Sequence, residues 1–404
     1  MAQKALTGLK VLDLTRFYAG PYCSTLFADM GAEVIKIEPP GGEAMRDNPP
    51  EVETGKGGPH TRSRSGYFLG LNRNKYGMTL NMKDPRGLQI FKDLVKISDV
   101  VLENYTPGVM KRLGIDYPVL KEINPRIILC SISGFGQNGP YAKKMAFDIV
   151  AQAMSGFISL TGHPDSPPTK AGTSLGDVNA GVHAAFAVMS ALWYREKTGI
   201  GQYVDISMQE AMISILENAI VRWTIGGILQ TPIGSMNPND APMGAFQCKD
   251  GYIVICTVGD EHWHRFCRAI GRPQWASDPG YATKQQRWNK KYILLEEIEK
   301  ITMQHTVAEV GDMMDKGPVA HSRIMNIKEV VEDPHLKERG YFVEVEHPII
   351  GKAKIPGMPF KMSETPGTVD RPSPLVGEHN ELILSKYLNF SADDIRRLKE
   401  KNVL

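Results

Sequence analysis

Short apolar runs alternate with amphipathic stretches through the first half of the chain, and this pattern predicts strands alternating with helices. The run LKVLDL at 9–14 is typical of a strand, whereas 84–98 has the apolar spacing of an amphipathic helix. Such alternation indicates a mostly parallel sheet with helices on both faces, a doubly wound α/β architecture. The predicted strands are 9–14, 33–37, 99–103, 126–133, 202–207 and 252–258. One helix is predicted to begin near Pro21, and the others are predicted at 84–98, 178–196, 209–225, 261–270 and 293–304.

The chain of 404 residues is too long for one compact core, which favours two domains. A stretch rich in Gly, Pro and Asn at 226–242 is typical of a linker, and a different, proline-rich texture follows it. We therefore expect a large domain at 1–225, a linker at 226–242, a smaller α+β domain at 243–325, and a return segment at 326–404 whose helices complete the large domain. A segment rich in Gly, Ser and Arg at 54–66 is predicted to be a loop.

Composition narrows the class of function. A hydrophobic content of 42% with 23% charged residues is that of an ordinary globular protein. A formal charge of +2 disfavours the broad basic face that a nucleic-acid partner requires. Five cysteines without a CxxC pair favour a reducing compartment. Since neither a signal-peptide core nor an apolar run of ~18 residues is visible, we expect a cytoplasmic protein without a membrane partner.

Three motifs are weaker candidates for a catalytic or binding site. The GxGxxG letters at 134–139 follow a predicted strand, but Pro140 replaces the helix that a dinucleotide pyrophosphate needs, so a glycine-rich loop or a tight turn is favoured. Ser174 occupies the centre of a GxSxG match without a preceding strand, which disfavours a serine hydrolase. His262 and His264 have no Cys or carboxylate partners at metal-site spacing, so a helix is favoured over a metal site there. No P-loop occurs.

Asp177 is the strongest candidate for catalysis. It stands in AGTSLGDVNAG, immediately before the helix predicted at 178–196. An aspartate there is a good structural N-cap. The same position gives a carboxylate that the positive end of the helix would hold ionised at neutral pH. The small neighbours Gly176, Ala180 and Gly181 leave room for a bulky ligand. The residues alone leave both interpretations open.

Several segments, in order, resemble the class III CoA-transferase family, which includes formyl-CoA, carnitine and benzylsuccinate CoA-transferases. The resemblance covers essentially the whole chain and implies a Rossmann-like large domain with a smaller α+β domain, in two subunits interlocked like chain links. The matching segments are LTGLKVLDLTRFYAGPYCSTLFADMGAEVIKIE at 6–38, LNMKDPRG at 80–87, ENYTPGVMKRLG at 103–114, SISGFGQNGPY at 131–141, LGDVNAG at 175–181, GQYVDISMQEA at 201–211, FQCKDGYIVI at 246–255 and LVGEHNEL at 375–382.

The resemblance also implies roles for individual residues. The nucleophilic aspartate of the family falls on Asp177, and Arg112 is the expected partner of a coenzyme phosphate. Tyr18 stands where formyl-CoA transferases have glutamine, and Pro39 where they have arginine, so formyl or oxalate specificity is not expected. A flap that excludes water is expected from Gly134, Gly136 and Gly139 or from the glycine-rich region at 226–244. The positions matching coenzyme contacts are Tyr18, Ala19, Leu80, Asn81, Met82, Lys83, Asn104, Tyr105, Thr106, Arg112, Met145, Ala146, Phe147 and Asp148.

The function implied is acyl-CoA:carboxylate CoA transfer through aspartyl mixed-anhydride and aspartyl-CoA intermediates. A coenzyme A thioester is then the substrate, with succinyl-CoA as the expected donor and a larger organic acid as acceptor, and neither a metal nor a permanently bound cofactor is needed. The expected assembly is a homodimer or a heterodimer with a homologous subunit. Two alternatives remain: an α-methylacyl-CoA racemase, although racemases of the family have histidine where this chain has Phe147, and a non-catalytic subunit of a hetero-oligomer.

Overall fold

The computed structural model describes residues 3–51 and 63–404, so residues 54–62 of the predicted loop lie outside the described residues. The chain divides into two compact units. The first comprises Met1–Phe157, Lys170–Val221 and Pro334–Leu404, and the second comprises Ile158–Thr169 and Arg222–Asp333. Each unit contains buried hydrophobic clusters of its own.

A six-stranded parallel sheet forms the centre of the first unit. Its strand order, β3-β2-β1-β4-β5-β6, is that of doubly wound dinucleotide-binding folds. The prediction of a mostly parallel sheet is confirmed, although the short strand β3 was not among the strands predicted. The strands are β1 (Lys10–Asp13), β2 (Glu33–Glu38), β3 (Tyr76–Thr79), β4 (Val100–Glu103), β5 (Ile128–Ser133) and β6 (Tyr203–Ser207).

Helices cover both faces of this sheet, as the sequence predicts. Successive residues of β1 point to opposite faces, so Leu12 packs in one buried cluster and Val11 in the other. The Leu12 face is covered by α3 (Pro85–Lys96), α5 (Tyr117–Ile123), α17 (Asn380–Leu388) and α18 (Ala392–Glu400). The Val11 face is covered by α1 (Ala19–Asp29), α6 (Asp148–Met154), α8 (Leu175–Thr198) and α9 (Met208–Ser214).

Shorter elements complete the first unit. An antiparallel hairpin pairs β10 with β11. These elements are a 3₁₀ turn (Ala44–Asp47), α2 (Gly66–Asn72), α4 (Val109–Arg112), α16 (Pro334–Glu338), β10 (Phe342–His347) and β11 (Gly351–Pro356).

The second unit is built on a three-stranded antiparallel sheet in the order β7-β8-β9. Phe246 and Trp263 are fully buried in its core. The chain passes between the units at four points, and the helices α7 (Phe157–Leu160) and α10 (Glu217–Thr224) contain one each. The other two points are 169/170 and 333/334. The other elements are β7 (Met243–Cys248), β8 (Gly251–Cys256), β9 (Ala320–Arg323), α11 (Gly259–Ala269), a 3₁₀ turn (Pro273–Ala276), α12 (Lys284–Asn289), α13 (Lys291–Thr302), α14 (Val307–Lys316) and α15 (Ile327–Glu332).

Two helix predictions were wrong in their bounds. The helix expected at 178–196 begins earlier, at Leu175, with Ser174 as its N-cap, so Asp177 lies inside the first turn rather than before it. The single helix expected at 209–225 is two helices, α9 and α10. Leu216 N donates to Ile213 O only three residues back, and this tight turn ends α9.

Candidate active site

A cavity of about 200 Å³ opens at the carboxyl ends of β1, β4 and β5. β1 and β4 are the neighbours at which the strand order reverses, and ligands of doubly wound folds bind in the crevice at this point. The amino end of α8 also reaches the cavity, because Asp177 lines it. The other lining residues are Phe17, Tyr18, Ala19, Asn104, Tyr105, Thr106, Pro107, Ile132, Ser133, Gly134, Lys144, Met145, Ala146, Phe147 and Met208.

The turn after β1 is held in an unusual conformation. Phe17 has a φ of 63°, which is an outlier for a bulky residue and costs about 1–3 kcal/mol. Its N–H donates to Glu43 Oε2 at 3.2 Å. Glu43 is paired with the buried Lys36 ammonium at 2.7 Å, and Lys36 donates in turn to the carbonyl of Thr15 at 2.6 Å. This buried pair therefore fixes the turn that places Tyr18 at the cavity.

The Asp177 carboxyl lies in an environment that favours its protonated form. Burial raises its pKa to about 7, and the nearby carboxylate of Asp148 adds to the shift. This raised pKa runs against the expectation that the positive end of the helix holds Asp177 ionised at neutral pH. Asp148 Oδ1 accepts from Gly176 N at 2.8 Å and from Asp177 N at 3.4 Å, so these helix N–H groups are bound to another carboxylate.

Two tyrosines lie close to Asp177. The rings of Tyr18 and Tyr67 meet edge to face with their centroids 5.3 Å apart. Burial, with smaller effects of Tyr67 and other neighbours, raises the pKa of Tyr18 to about 12, so its phenol stays protonated at neutral pH. Tyr67 was not singled out from the sequence. It lies at the start of α2, next to the segment rich in Gly, Ser and Arg, where no motif indicates it.

Many of the predicted coenzyme contacts lie together. Three separate chain segments bring them to the cavity, after β1, after β4 and before α6. Lys144 and Ser133 line the same cavity and were not predicted; the only sequence signal for Lys144 is its place beside the expected contacts at 145–148. The predicted residues at the cavity are Tyr18, Ala19, Asn104, Tyr105, Thr106, Met145, Ala146 and Phe147, together with Asp177 and Gly134.

The remaining predicted contacts do not line the cavity. Leu80 is buried in the sheet core, and Met82 packs against the same cluster. Asn81 N donates to Val403 O at 2.8 Å. Lys83 and Arg112 are exposed. Within residues 3–51 and 63–404, the guanidinium of Arg112 makes no ion pair, so it is available to an anionic ligand.

A loop at 134–139, the glycine loop, follows β5. Gly136 and Gly139 have φ values of 81° and 86°, which glycine adopts without strain. Gln137 N donates to Asp205 Oδ2 at 2.9 Å, which ties the loop to β6. The next helix, α6, begins only at Asp148, so no helix end stands at this loop to hold a pyrophosphate.

The other candidate motifs do not assemble a site. His262 and His264 lie two residues apart on α11, and residues at that spacing do not face each other on a helix. In the part of the chain that the structure describes, no group of three His, Cys, Asp or Glu side chains is arranged to hold a metal ion. Ser174 is the N-cap of α8 and does not follow a strand.

Comparison with known proteins finds relatives along nearly the whole chain. Residues 6–380 match the profile of CoA-transferase family III. The chain is 36% identical over 403 residues to succinyl-CoA–D-citramalate CoA-transferase from Chloroflexus aurantiacus, covering 99% of this chain and 98% of the relative. It is 33% identical over 403 residues to human succinyl-CoA:glutarate CoA-transferase, with coverages of 99% and 90%. The crystal structure of a CAIB/BAIF family protein from Brucella suis superposes with a TM-score of 0.84 at 31% identity, covering 95% of this chain and 100% of that one.

Proposed function

Because the chain belongs to CoA-transferase family III, we propose that Asp177 is the nucleophile of its acyl-CoA:carboxylate CoA transfer and that the cavity beside it receives the reacting thioester. The family and the CoA-transferase activity predicted from the sequence are confirmed. The observation that carries the proposal is the position of the Asp177 carboxyl, at the cavity and at the switch point of the sheet.

The reaction exchanges one thioester for another and needs no net proton transfer. The Asp177 carboxylate attacks the donor thioester carbonyl, which forms a mixed anhydride and releases coenzyme A thiolate. The thiolate attacks the aspartyl carbonyl, which forms aspartyl-CoA and releases the donor acid. The acceptor carboxylate then attacks aspartyl-CoA, and the thiolate that leaves attacks the acceptor carbonyl of the new anhydride. This last step yields the product acyl-CoA and restores the Asp177 carboxylate.

Neutral donors near Asp177 suit this chemistry. Burial raises the pKa values of both the Tyr18 and Tyr67 phenols, so both groups remain protonated while the carboxylate reacts. A phenol can donate to the oxyanion of a tetrahedral intermediate without adding a charge to the cavity. The glycine loop is the proposed flap, because Gly134 lines the cavity directly.

Succinyl-CoA is the proposed donor and a dicarboxylic acid the proposed acceptor. Both relatives described above are named for transfer from succinyl-CoA, to D-citramalate in one and to glutarate in the other. The residues proposed to bind the coenzyme are those that the family resemblance assigns. Among them Arg112, exposed and without an ion pair in the described chain, is the proposed phosphate partner.

A second copy of the chain is the proposed partner, in the interlocked arrangement that the family resemblance implies. Val182, Phe186, Met189 and Trp193 form an exposed apolar stripe along α8, with Phe186 and Trp193 74% and 66% exposed. By length and composition α8 would also suit a membrane span. Its other face, however, packs in the core of the first unit, and Asp177 lies in its first turn. A protein surface is therefore the proposed cover of the stripe, and the cytoplasm the proposed compartment.

The proposal is tested by isotope exchange between succinyl-CoA and labelled succinate, which needs no knowledge of the acceptor. Asp177→Ala should abolish exchange, whereas the control Asp315→Ala, on a side chain 78% exposed, should exchange at the normal rate. After incubation with succinyl-CoA, hydroxylamine should label the peptide that contains Asp177. Exchange retained in Asp177→Ala, or an unlabelled peptide during rapid turnover, would refute the assignment.

The two alternatives have separate tests. A racemase needs an acid and a base beside the α-carbon. Phe147 lies at the cavity and packs edge to face against Phe17 at 5.9 Å, and its ring cannot carry a proton. Deuterium uptake at the acyl α-position in D₂O without exchange of succinate would favour the racemase. Exchange by the purified chain alone would exclude a non-catalytic subunit.

A further inference from the structure

Gln152 lies on α6, one turn after Asp148, and has no exposed surface. Its side-chain amide is fully engaged. Nε2 donates to Asp148 Oδ2 at 2.7 Å and to the carbonyl of Thr173 at 3.4 Å, while Oε1 accepts from Ala171 N at 2.9 Å. One amide of α6 therefore binds both a carboxylate and the main chain that leads into α8.

The carboxylate that Gln152 holds caps the helix of the proposed nucleophile. With Oδ2 bound by Gln152, Asp148 presents Oδ1 to Gly176 N at 2.8 Å and to Asp177 N at 3.4 Å. The N-cap residue Ser174 supplies no side-chain hydrogen bond to α8. A carboxylate 28 residues away along the chain thus replaces the usual local cap.

We infer that Gln152 is a positioning residue for CoA transfer: it fixes the Asp148 carboxylate, and this carboxylate occupies the first N–H groups of α8 so that they do not stabilise the carboxylate of Asp177. This role rests on the proposed function of Asp177 as nucleophile. A carboxylate deprived of helix N–H donors is more basic and a stronger nucleophile. The raised pKa of Asp177, caused by burial and then by Asp148, supports this arrangement.

The test compares Gln152→Met, which removes both the donor and the acceptor, with Gln152→Glu, which keeps the shape. The protonated form of a glutamic acid can still donate to Asp148, whereas the ionised form repels it. In the succinyl-CoA–succinate exchange assay, Gln152→Met should lose about tenfold or more in kcat with KM changed less than about twofold. Gln152→Glu should keep the acid limb that Asp177 sets and should lose kcat again as pH rises, on an alkaline limb that the unmodified protein lacks.

Several other charged groups lie on the elements packed around Gln152. Asp148 lies on α6 itself, Asp177 on α8 and Glu210 on α9, the helices packed against α6. Lys170 lies in the segment before α8, where its ammonium donates to Ala171 O at 2.7 Å. None of these groups is altered by either substitution, so a new alkaline limb would belong to residue 152 or to its effect on Asp148.

Gln89→Glu is the matched control. Gln89 Nε2 donates to Asp93 Oδ1 at 3.1 Å with the same four-residue spacing, but on the exposed surface of α3. Its kcat and pH profile should equal those of the unmodified protein. Circular dichroism over the same pH range separates loss of kcat from loss of folded protein, because a purely structural role would lower the rate only in proportion to the folded fraction.

Normal kcat and pH profiles in both Gln152 variants would overturn the positioning role, and so would loss of fold in both. The outcome is distinct from failure of the proposed function. If Asp177→Ala retains exchange, the nucleophile assignment fails whatever Gln152 does. If Asp177→Ala is inactive and both Gln152 variants behave normally, only the role of Gln152 fails.

Discussion

The pH dependence of transfer follows directly from the environment of Asp177. Burial, reinforced by the Asp148 carboxylate, raises the Asp177 pKa to about 7, and only the ionised form can attack a thioester. For the free enzyme, kcat/KM should therefore be highest above pH 7 and fall to about one-tenth at pH 6 and about one-hundredth at pH 5. An aspartate with an ordinary pKa of ~3.9 would keep more than about 90% of its activity at pH 5. The two cases differ by roughly two orders of magnitude.

The assay is the initial rate of succinyl-CoA–succinate exchange at subsaturating succinyl-CoA between pH 5 and pH 9. The coenzyme has a phosphate monoester that titrates near ~6 and could imitate the limb. Succinyl-dephospho-CoA lacks that group, so a limb that persists with it belongs to the enzyme. Tyr18, with a pKa of about 12, should add no limb within this range. A flat profile from pH 5 to pH 8 with both thioesters would refute the account of the Asp177 environment.

Two further predictions concern arginines, each with the exposed Arg396 as the control position. Arg46 binds Glu38 through Nε at 2.8 Å and Nη2 at 2.6 Å in the buried interior, so Arg46→Met should lower the free energy of unfolding by about 3–5 kcal/mol in urea titrations, against less than about 0.5 for Arg396→Met. Burial opposes ionisation of Glu38, but Arg46 outweighs it and lowers the Glu38 pKa. The stabilisation by this ion pair is therefore present above pH ~4.5 and is lost as pH falls through the lowered pKa. An equal loss of unfolding free energy in Arg46→Met and Arg396→Met would contradict this prediction. Arg112→Gln should raise KM for succinyl-CoA about tenfold with kcat within about twofold, whereas Arg396→Gln should leave both unchanged; a normal KM in Arg112→Gln would exclude it as the phosphate partner.

Much of the fold could be predicted because its signals are local. Five of the six sheet strands have apolar runs that periodicity detects, and their alternation with helices indicates the parallel sheet. The strand β3 was not predicted because its four residues, YGMT, contain a glycine and lack a long apolar run. It is a strand because of what surrounds it: it pairs with β2, and the Asn380 amide binds Thr79 from the far end of the chain.

The site was less predictable, because long-range contacts decide its electrostatics. Asp177 could be singled out from small neighbours and a helix start, but its pKa could not. Local rules assign the positive end of a helix to the nearest acid, whereas the structure gives those N–H groups to Asp148. Tyr67 was missed for the same reason, since only the tertiary fold brings α2 to Tyr18. The predicted domain boundaries and residue roles stay predictions.

A raised Asp177 pKa also favours the direction in which the proposed mixed anhydride breaks down. The thiolate can attack either carbonyl of the anhydride, and each attack expels the other carboxylate. Attack at the donor carbonyl expels Asp177, whereas attack at the aspartyl carbonyl expels the donor acid. A free carboxylic acid with a pKa of ~4 is a weaker base than a buried aspartate with a pKa of about 7, so it is the better leaving group. Burial and the Asp148 carboxylate would therefore direct the coenzyme onto the protein rather than back onto the donor, which is the step that separates transfer from mere reversal.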